Sequence, residues 1–194
     1  MKRNQNISPP TIQQLEAELK RENYRRKYRR MLRSTLSVLV VVAAAAVLVS
    51  SLLLPVLKVY GSSMTPNLTN GDIVVALRRG SFERGDVIAF YYNNKILVKR
   101  IVGLPGEWID IDSEGGVLID GVPLEEPYLT EKTLGECSIE LPYQVPDGRY
   151  FVMGDNRTVS SDSRSIAVGC AAEEQIVGKL IFRIWPFRAF GTIA

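Results

Sequence analysis

Ser63, in Gly61-Ser62-Ser63-Met64-Thr65-Pro66, is a candidate nucleophile without a histidine to serve it, because the 194-residue chain contains none. A serine hydroxyl attacks a carbonyl only when a neighbouring base takes its proton, so serine chemistry here needs another base. Lys99 is the candidate. It stands in Ile96-Leu97-Val98-Lys99-Arg100-Ile101-Val102, and a lysine among apolar side chains is driven toward its neutral, proton-accepting form by desolvation. Arg100 cannot take that role, since a guanidinium keeps its proton. A third block, Gly154-Asp155-Asn156-Arg157-Thr158-Val159-Ser160-Ser161-Asp162-Ser163-Arg164, is dense in hydroxyls, carboxylates and guanidinium groups. Such groups can hold one another and orient a neighbouring amine. Residue types alone leave plainer readings open: a solvated loop serine, an edge strand whose two cations reach water, and a solvated turn.

The elements that must position these residues begin with a basic tail. Met1 to Arg33 carries ten Lys or Arg against three acids, so the formal net charge of +3 belongs to the tail and the rest is mildly acidic. Ser8-Pro9-Pro10 opens it like a linker, and Thr11 with Gln14 has capping-box spacing, which predicts a short helix with Ile12, Leu15 and Leu19 on one face. Ser34 to Leu57 follows with 24 residues and no charge, roughly 36 Å of helix against a hydrocarbon core of about 30 Å. This predicts a retained transmembrane helix: a cleaved secretory signal has a shorter apolar core and small residues at its end, where this chain has Leu52-Leu53-Leu54. The basic cluster before the span places the N-terminus in the cytoplasm and residues from Lys58 onward outside. Beside an apolar run, such a cluster suits anionic lipid better than nucleic acid.

From Lys58 the texture changes to short β-prone runs broken by Gly, Pro and Asn. Asp72 to Leu77, Asp86 to Tyr92 and, after the turn residues Asn93-Asn94, Ile96 to Val102 read as consecutive antiparallel strands. Val117 to Ile119, Tyr150 to Met153 and Leu180 to Trp185 add more, and Pro186 closes the last. The fold class is therefore mostly β with antiparallel sheets behind one membrane helix. Residues 106–148, richer in acids, Gly and Pro, read as an insertion too short for a large core of its own. The division is 1–33 tail, 34–57 membrane helix and 58–194 extracytoplasmic domain. Only Lys58 to Ser62 separate the apolar run from Ser63, at most about 18 Å of extended chain, which keeps the candidate nucleophile near the membrane surface.

Gly61 to Pro66, Asn70-Gly71-Asp72, Arg84-Gly85-Asp86-Val87-Ile88, Lys99 to Gly106, Gly154 to Arg164, Gly178-Lys179 and Trp185-Pro186 together resemble the type I signal peptidases in composition and order. The single anchor and short insertion look more like the family's Gram-positive members. The resemblance implies a membrane-bound serine endopeptidase that removes signal peptides from exported preproteins after small residues, at A-x-A sites. It implies Ser63 as nucleophile, Lys99 as general base, Ser160 as the residue orienting the lysine, and Asp162 with Arg164 as a supporting ion pair. Asp155 and Asn156 match the opening of the family's loop and are expected to be structural.

The chain departs from the family at three places. Gly61 stands where some members have an oxyanion-binding Ser, which leaves the oxyanion to the Ser63 N–H with the Ser62 hydroxyl. Asn67 replaces the usual Thr, a change expected to be tolerated, and Ser165-Ile166-Ala167 replaces a bulkier residue and Gly. No metal or organic cofactor is implied, since two Cys and no His cannot build an ordinary zinc site. Whether Cys137 and Cys170 form a disulfide is left open. The expected partners are secreted preproteins and membrane lipid, with no nucleic acid, and a monomer is the expected oligomeric state. A non-catalytic relative assisting surface-protein assembly would lack Ser63 or Lys99, and this chain keeps both. A self-cleaving regulator would need a DNA-binding module, against which the membrane helix argues.

Overall fold

The computed structural model describes residues 11–78 and 80–193. The linker-like opening and the first basic residues of the tail lie outside them. Two compact units divide the chain at Val49.

The first unit is helical. Helix α1 runs unbroken from Ile12 to Leu53, so the short helix expected at Thr11 and the apolar span are one element. Its start has half of the expected capping box, the Thr11 N–H donating to Gln14 Oε1 at 3.0 Å. The helix is long and apolar enough to cross a membrane, and none of its residues is buried. A stretch that is apolar all round and uncovered by protein fits lipid anchoring. The helix ends at Leu53, short of Leu57 where the uncharged run stops. Pro55 accounts for this, because a proline disfavours helical geometry in the residue before it.

The second unit is mostly β and antiparallel throughout. Its larger sheet comprises β1 (Val56–Lys58), β2 (Ile73–Leu77), β3 (Val87–Tyr92), β4 (Lys95–Gly103), β9 (Arg149–Met153), β10 (Ala171–Ala172), β11 (Ile176–Trp185) and β12 (Gly191–Thr192). The smaller sheet comprises β5 (Trp108–Ile111), β6 (Val117–Ile119), β7 (Val122–Pro123) and β8 (Tyr143–Gln144). Asn93 and Asn94 both adopt positive φ, 44° and 59°, which suits a tight hairpin between β3 and β4.

The expected run of consecutive strands holds only for β3 and β4. The order of the larger sheet is β1-β2-β11-β3-β4-β9-β10, so β11 separates β2 from β3. Lys179 of β11 pairs with Leu77 on one side and Ile88 on the other. The segment between β2 and β3 is too long for a hairpin, which leaves both strand edges free for a partner distant in sequence. Residues 106–148 carry the smaller sheet, and their core is shared: Ile109, Ile111 and Val117 pack with Val102, Phe151 and Met153 of β4 and β9.

Candidate active site

Ser63 lies in the loop between β1 and β2, and that loop is closed at its neck. The Val59 N–H donates to Asp72 O at 2.8 Å and the Gly71 N–H to Val59 O at 2.9 Å. Asp72 accepts from Thr69 Oγ1 at 2.9 Å and from Arg183 Nη1 at 3.1 Å. Buried Met64 and Leu68 anchor the loop in the core with Val59, Val74 and Ala76. Gly61 adopts φ +88°, a left-handed backbone that glycine takes without the strain a serine would meet there. Among the described residues the Ser63 N–H makes no hydrogen bond.

Lys99 is on β4 opposite Ile88, with Arg100 opposite Val87. Both cations are buried, at 3% and 2% exposure, so the reading with two solvated cations on an edge strand does not hold. Arg100 is neutralised. Its Nε and Nη2 donate to the two carboxylate oxygens of Asp155 at 2.9 and 2.8 Å, its Nη1 donates to Gly85 O at 2.7 Å, and it stacks on the Tyr128 ring 4.1 Å from the centroid. No hydrogen bond or ion pair among the described residues engages Lys99 Nζ. Burial lowers its pKa from 10.5 to about 8, with Asp162 and Asp155 pulling up and Arg164 pushing down. An unpaired amine with that value is about one-tenth neutral at pH 7 and about half neutral at pH 8, so a usable share stands ready as a base near neutral pH.

The polar block stands next to both. The Asn156 N–H donates to Ser63 O at 2.9 Å, and its Nδ2 donates to Thr65 Oγ1 at 3.0 Å. Asp162 and Arg164 form a buried two-point pair, Nε to Oδ1 and Nη2 to Oδ2, both 2.9 Å. Burial alone would raise the Asp162 carboxyl, but the hydrogen bonds and charge of Arg164, with the Ser160 hydroxyl and the Gly154 N–H, hold it below its ordinary value. Ser160 is buried, and its Oγ is the one buried side-chain polar atom without a partner among the described residues. The hydroxyl is close enough to help hold the Asp162 carboxyl down but is outside good hydrogen-bond geometry, which leaves it able to turn to a neighbouring amine.

Ser63 and Lys99 line one cleft of about 620 Å3 between β1 and the first half of β4, walled by Leu57, Val59, Leu97 and Val98. Both bordering strands have a free edge here. Among the described residues β1 pairs only with β2, and the pairing of β4 with β9 begins at Arg100. Unpaired N–H and C=O groups on two facing edges are a template for one more strand.

Several contributors were not legible as such. Asp155, expected to be structural, is the counter-ion of Arg100. Asn67 donates through Nδ2 to both Tyr128 O and Asp155 Oδ2, at 2.9 and 2.8 Å, a bridge that gives this departure a place. The Ser165-Ile166-Ala167 departure forms a turn held by the Ile166 N–H on Ser138 Oγ and by Tyr92 OH on Ala167 O. Cys137 and Cys170 are separate thiols. Because Arg100 is fully desolvated, Asp155→Ala should destabilise the fold by about 3–5 kcal/mol. Thermal melting of the full chain in detergent checks this, and a midpoint unchanged from wild type contradicts it.

A family model described as signal peptidase, peptidase S26, matches residues 32–185. Signal peptidase IB of Staphylococcus aureus (strain COL) is 37% identical over 152 residues, 68% of this chain and 78% of that protein. Signal peptidase I of Bacillus amyloliquefaciens is 35% identical over 162 residues, 77% of this chain and 83% of that protein. A solved signal peptidase I from Enterococcus faecalis V583 is 32% identical and covers 52% of this chain and 97% of that one, with a TM-score of 0.45. The protein is thus a serine endopeptidase, a hydrolase. The chain belongs to the signal peptidase family, peptidase S26.

Proposed function

We propose that this protein removes N-terminal signal peptides from exported preproteins with Ser63 as nucleophile and Lys99 as base. The observation that carries the dyad is that both residues open onto one cleft, with Lys99 desolvated and its pKa lowered to about 8. Neutral Lys99 takes the Ser63 proton as Oγ bonds to the scissile carbonyl carbon. The resulting oxyanion is held by the free Ser63 N–H; Ser62 is exposed and is not among the residues lining the cleft. The Lys99 ammonium then protonates the leaving amine, the C–N bond breaks, and an ester on Ser63 remains. A water that gives its proton to Lys99 hydrolyses the ester, and Lys99 returns the proton to Ser63. Ser160 orients the amine, and the Asp162–Arg164 pair holds the loop.

The substrate enters as an extended strand between the free edges of β1 and β4. Alternate side chains, those one and three residues before the cut, then point into the apolar wall. Small residues at both make the A-x-A pattern that the resemblance to signal peptidases implies. Replacing both alanines by leucine should lower kcat/KM by at least about tenfold. Peptide cleavage assays test it, and equal rates for the two peptides would sink this account of specificity.

α1 anchors the enzyme in the cell membrane as a single pass. Lys and Arg residues of the tail lie on the cytoplasmic side against anionic lipid, and residues after α1 face the exterior, where exported chains emerge. A monomer suffices for the proposed mechanism, every group of which comes from one chain. Assaying wild type, Ser63→Ala and Lys99→Ala on a preprotein with an A-x-A site tests the function as a whole.

A further inference from the structure

The insertion between β4 and β9 grips the polar loop of the active site from behind. Glu126 has a fully buried carboxylate. It pairs with the Arg157 guanidinium and accepts from Tyr128 OH at 2.9 Å, while Lys132 Nζ approaches its rim at 4.0 Å. Arg157 is itself buried, and among the described residues Glu126 is its only acidic partner.

Arg157 in turn holds two members of the loop. Its Nε donates to Gly154 O at 3.2 Å, and its backbone carbonyl accepts from Arg164 Nη2 at 3.0 Å. Gly154 donates its N–H to Asp162 Oδ2, and Arg164 closes the pair with Asp162. A second strap runs beside the first. Arg164 Nη1 donates to Leu134 O at 2.5 Å, and the N–H groups of Ser138 and Ile139 donate to Arg164 O at 2.9 and 3.2 Å. Gly135 touches both Arg157 and Arg164 so closely that a Cβ there would collide with each.

We propose that Glu126 is a positioning residue: through Arg157 it fixes Gly154 and Arg164, and so sets Ser160 and Asp162 at the working distance from Lys99. The proposal rests on the reading of Ser63 and Lys99 as the catalytic pair. A buried guanidinium stripped of its counter-charge turns toward water, and here it would release the Gly154 carbonyl as it left. The charged groups facing Lys99 are Asp162, Arg164 and Asp155. Those facing Glu126 are Arg157 and Lys132, beside the neutral Tyr128 hydroxyl. A shift in the first set is therefore readable as a shift in the pH at which the enzyme turns on.

The test uses the full chain in detergent micelles and a soluble peptide with an A-x-A site. kcat and KM are measured from pH 6 to 10, per folded molecule counted by circular dichroism, together with the thermal midpoint. Glu126→Gln should lower kcat by about tenfold or more, leave KM within about threefold, and move the acid limb by about 0.3 pH unit or more. Because Gln leaves Arg157 uncompensated, the double variant Glu126→Gln/Arg157→Met is made as well, which removes both charges and keeps the volume. It should recover the midpoint but not kcat, since the grip on Gly154 is still missing. A double variant that recovers both, or a Glu126→Gln enzyme with wild-type kcat and an unmoved acid limb, overturns the proposal. Lys99→Ala, run alongside, separates the two ideas. Activity surviving there removes the dyad itself, whereas wild-type kcat in the double variant removes only the role of Glu126.

Discussion

Lys99→Arg should lose at least about a thousandfold in cleavage rate while keeping the charge and nearly the size of the side chain. The proton accounts for it. The mechanism draws on the neutral amine, and burial sets the Lys99 pKa at about 8, so the neutral form makes up about one-tenth at pH 7 and about nine-tenths at pH 9. The wild-type rate on a soluble peptide should therefore climb through about pH 8 and then level off. Protonation switches the base off, so the loss is on the acid side. A guanidinium never reaches the neutral form in this range, and Lys99→Arg should show no such rise. Ser63→Ala should be equally inactive, as it removes the attacking oxygen. Rates from pH 6 to 11 decide the matter: appreciable turnover by Lys99→Arg, or a wild-type curve without an inflection between pH 7 and 9, would remove Lys99 from the role of base.

The second large effect should come from a single methyl group. Gly154 sits between Ser160 and the nucleophile segment, and a Cβ there would overlap the Ser160 hydroxyl and lie 2.5 Å from Ser63 O. Neither neighbour is free to yield. Ser63 O is held by the Asn156 N–H, and Ser160 is buried with its N–H on Asn156 O. The backbone at Gly154 is not left-handed, so Ala is tolerated conformationally and the effect is a collision alone. Gly154→Ala should cost about 1–3 kcal/mol of stability and roughly a hundredfold in rate, by pushing the nucleophile and the orienting hydroxyl apart. Gly191→Ala, where nothing lies within 4 Å of the added carbon and φ is ordinary, is the control and should change neither measurably. A Gly154→Ala enzyme within threefold of wild type would mean the segment repacks more easily than the close contacts allow.

Much of the fold was open to reading because it depends on neighbours in sequence. The uncharged run after a basic tail specifies a helix suited to lipid whatever surrounds it. Asn93-Asn94 between two alternating runs specifies a hairpin. The absence of histidine confined serine chemistry to a base such as lysine. Family motifs then singled out Ser63, Lys99 and the block from Gly154 to Arg164, and the match over residues 32–185 upholds the family.

What the sequence determined by itself was the kinds of group at hand and the short-range elements carrying them: a serine on a Gly-rich loop, a lysine on a strand, a polar block, an apolar anchor. The tertiary structure alone decided which of two adjacent cations needed a partner. Arg100 found Asp155 across 55 residues, and Lys99 was left unpaired. Only the fold could place β11 between β2 and β3, join β1 and β4 into the walls of one cleft, and set Glu126 of the insertion against Arg157. The physical reason is common to all of these. Pattern and propensity act over a few residues, whereas desolvation and ion pairing depend on what arrives through space, and here they join segments far apart in the chain.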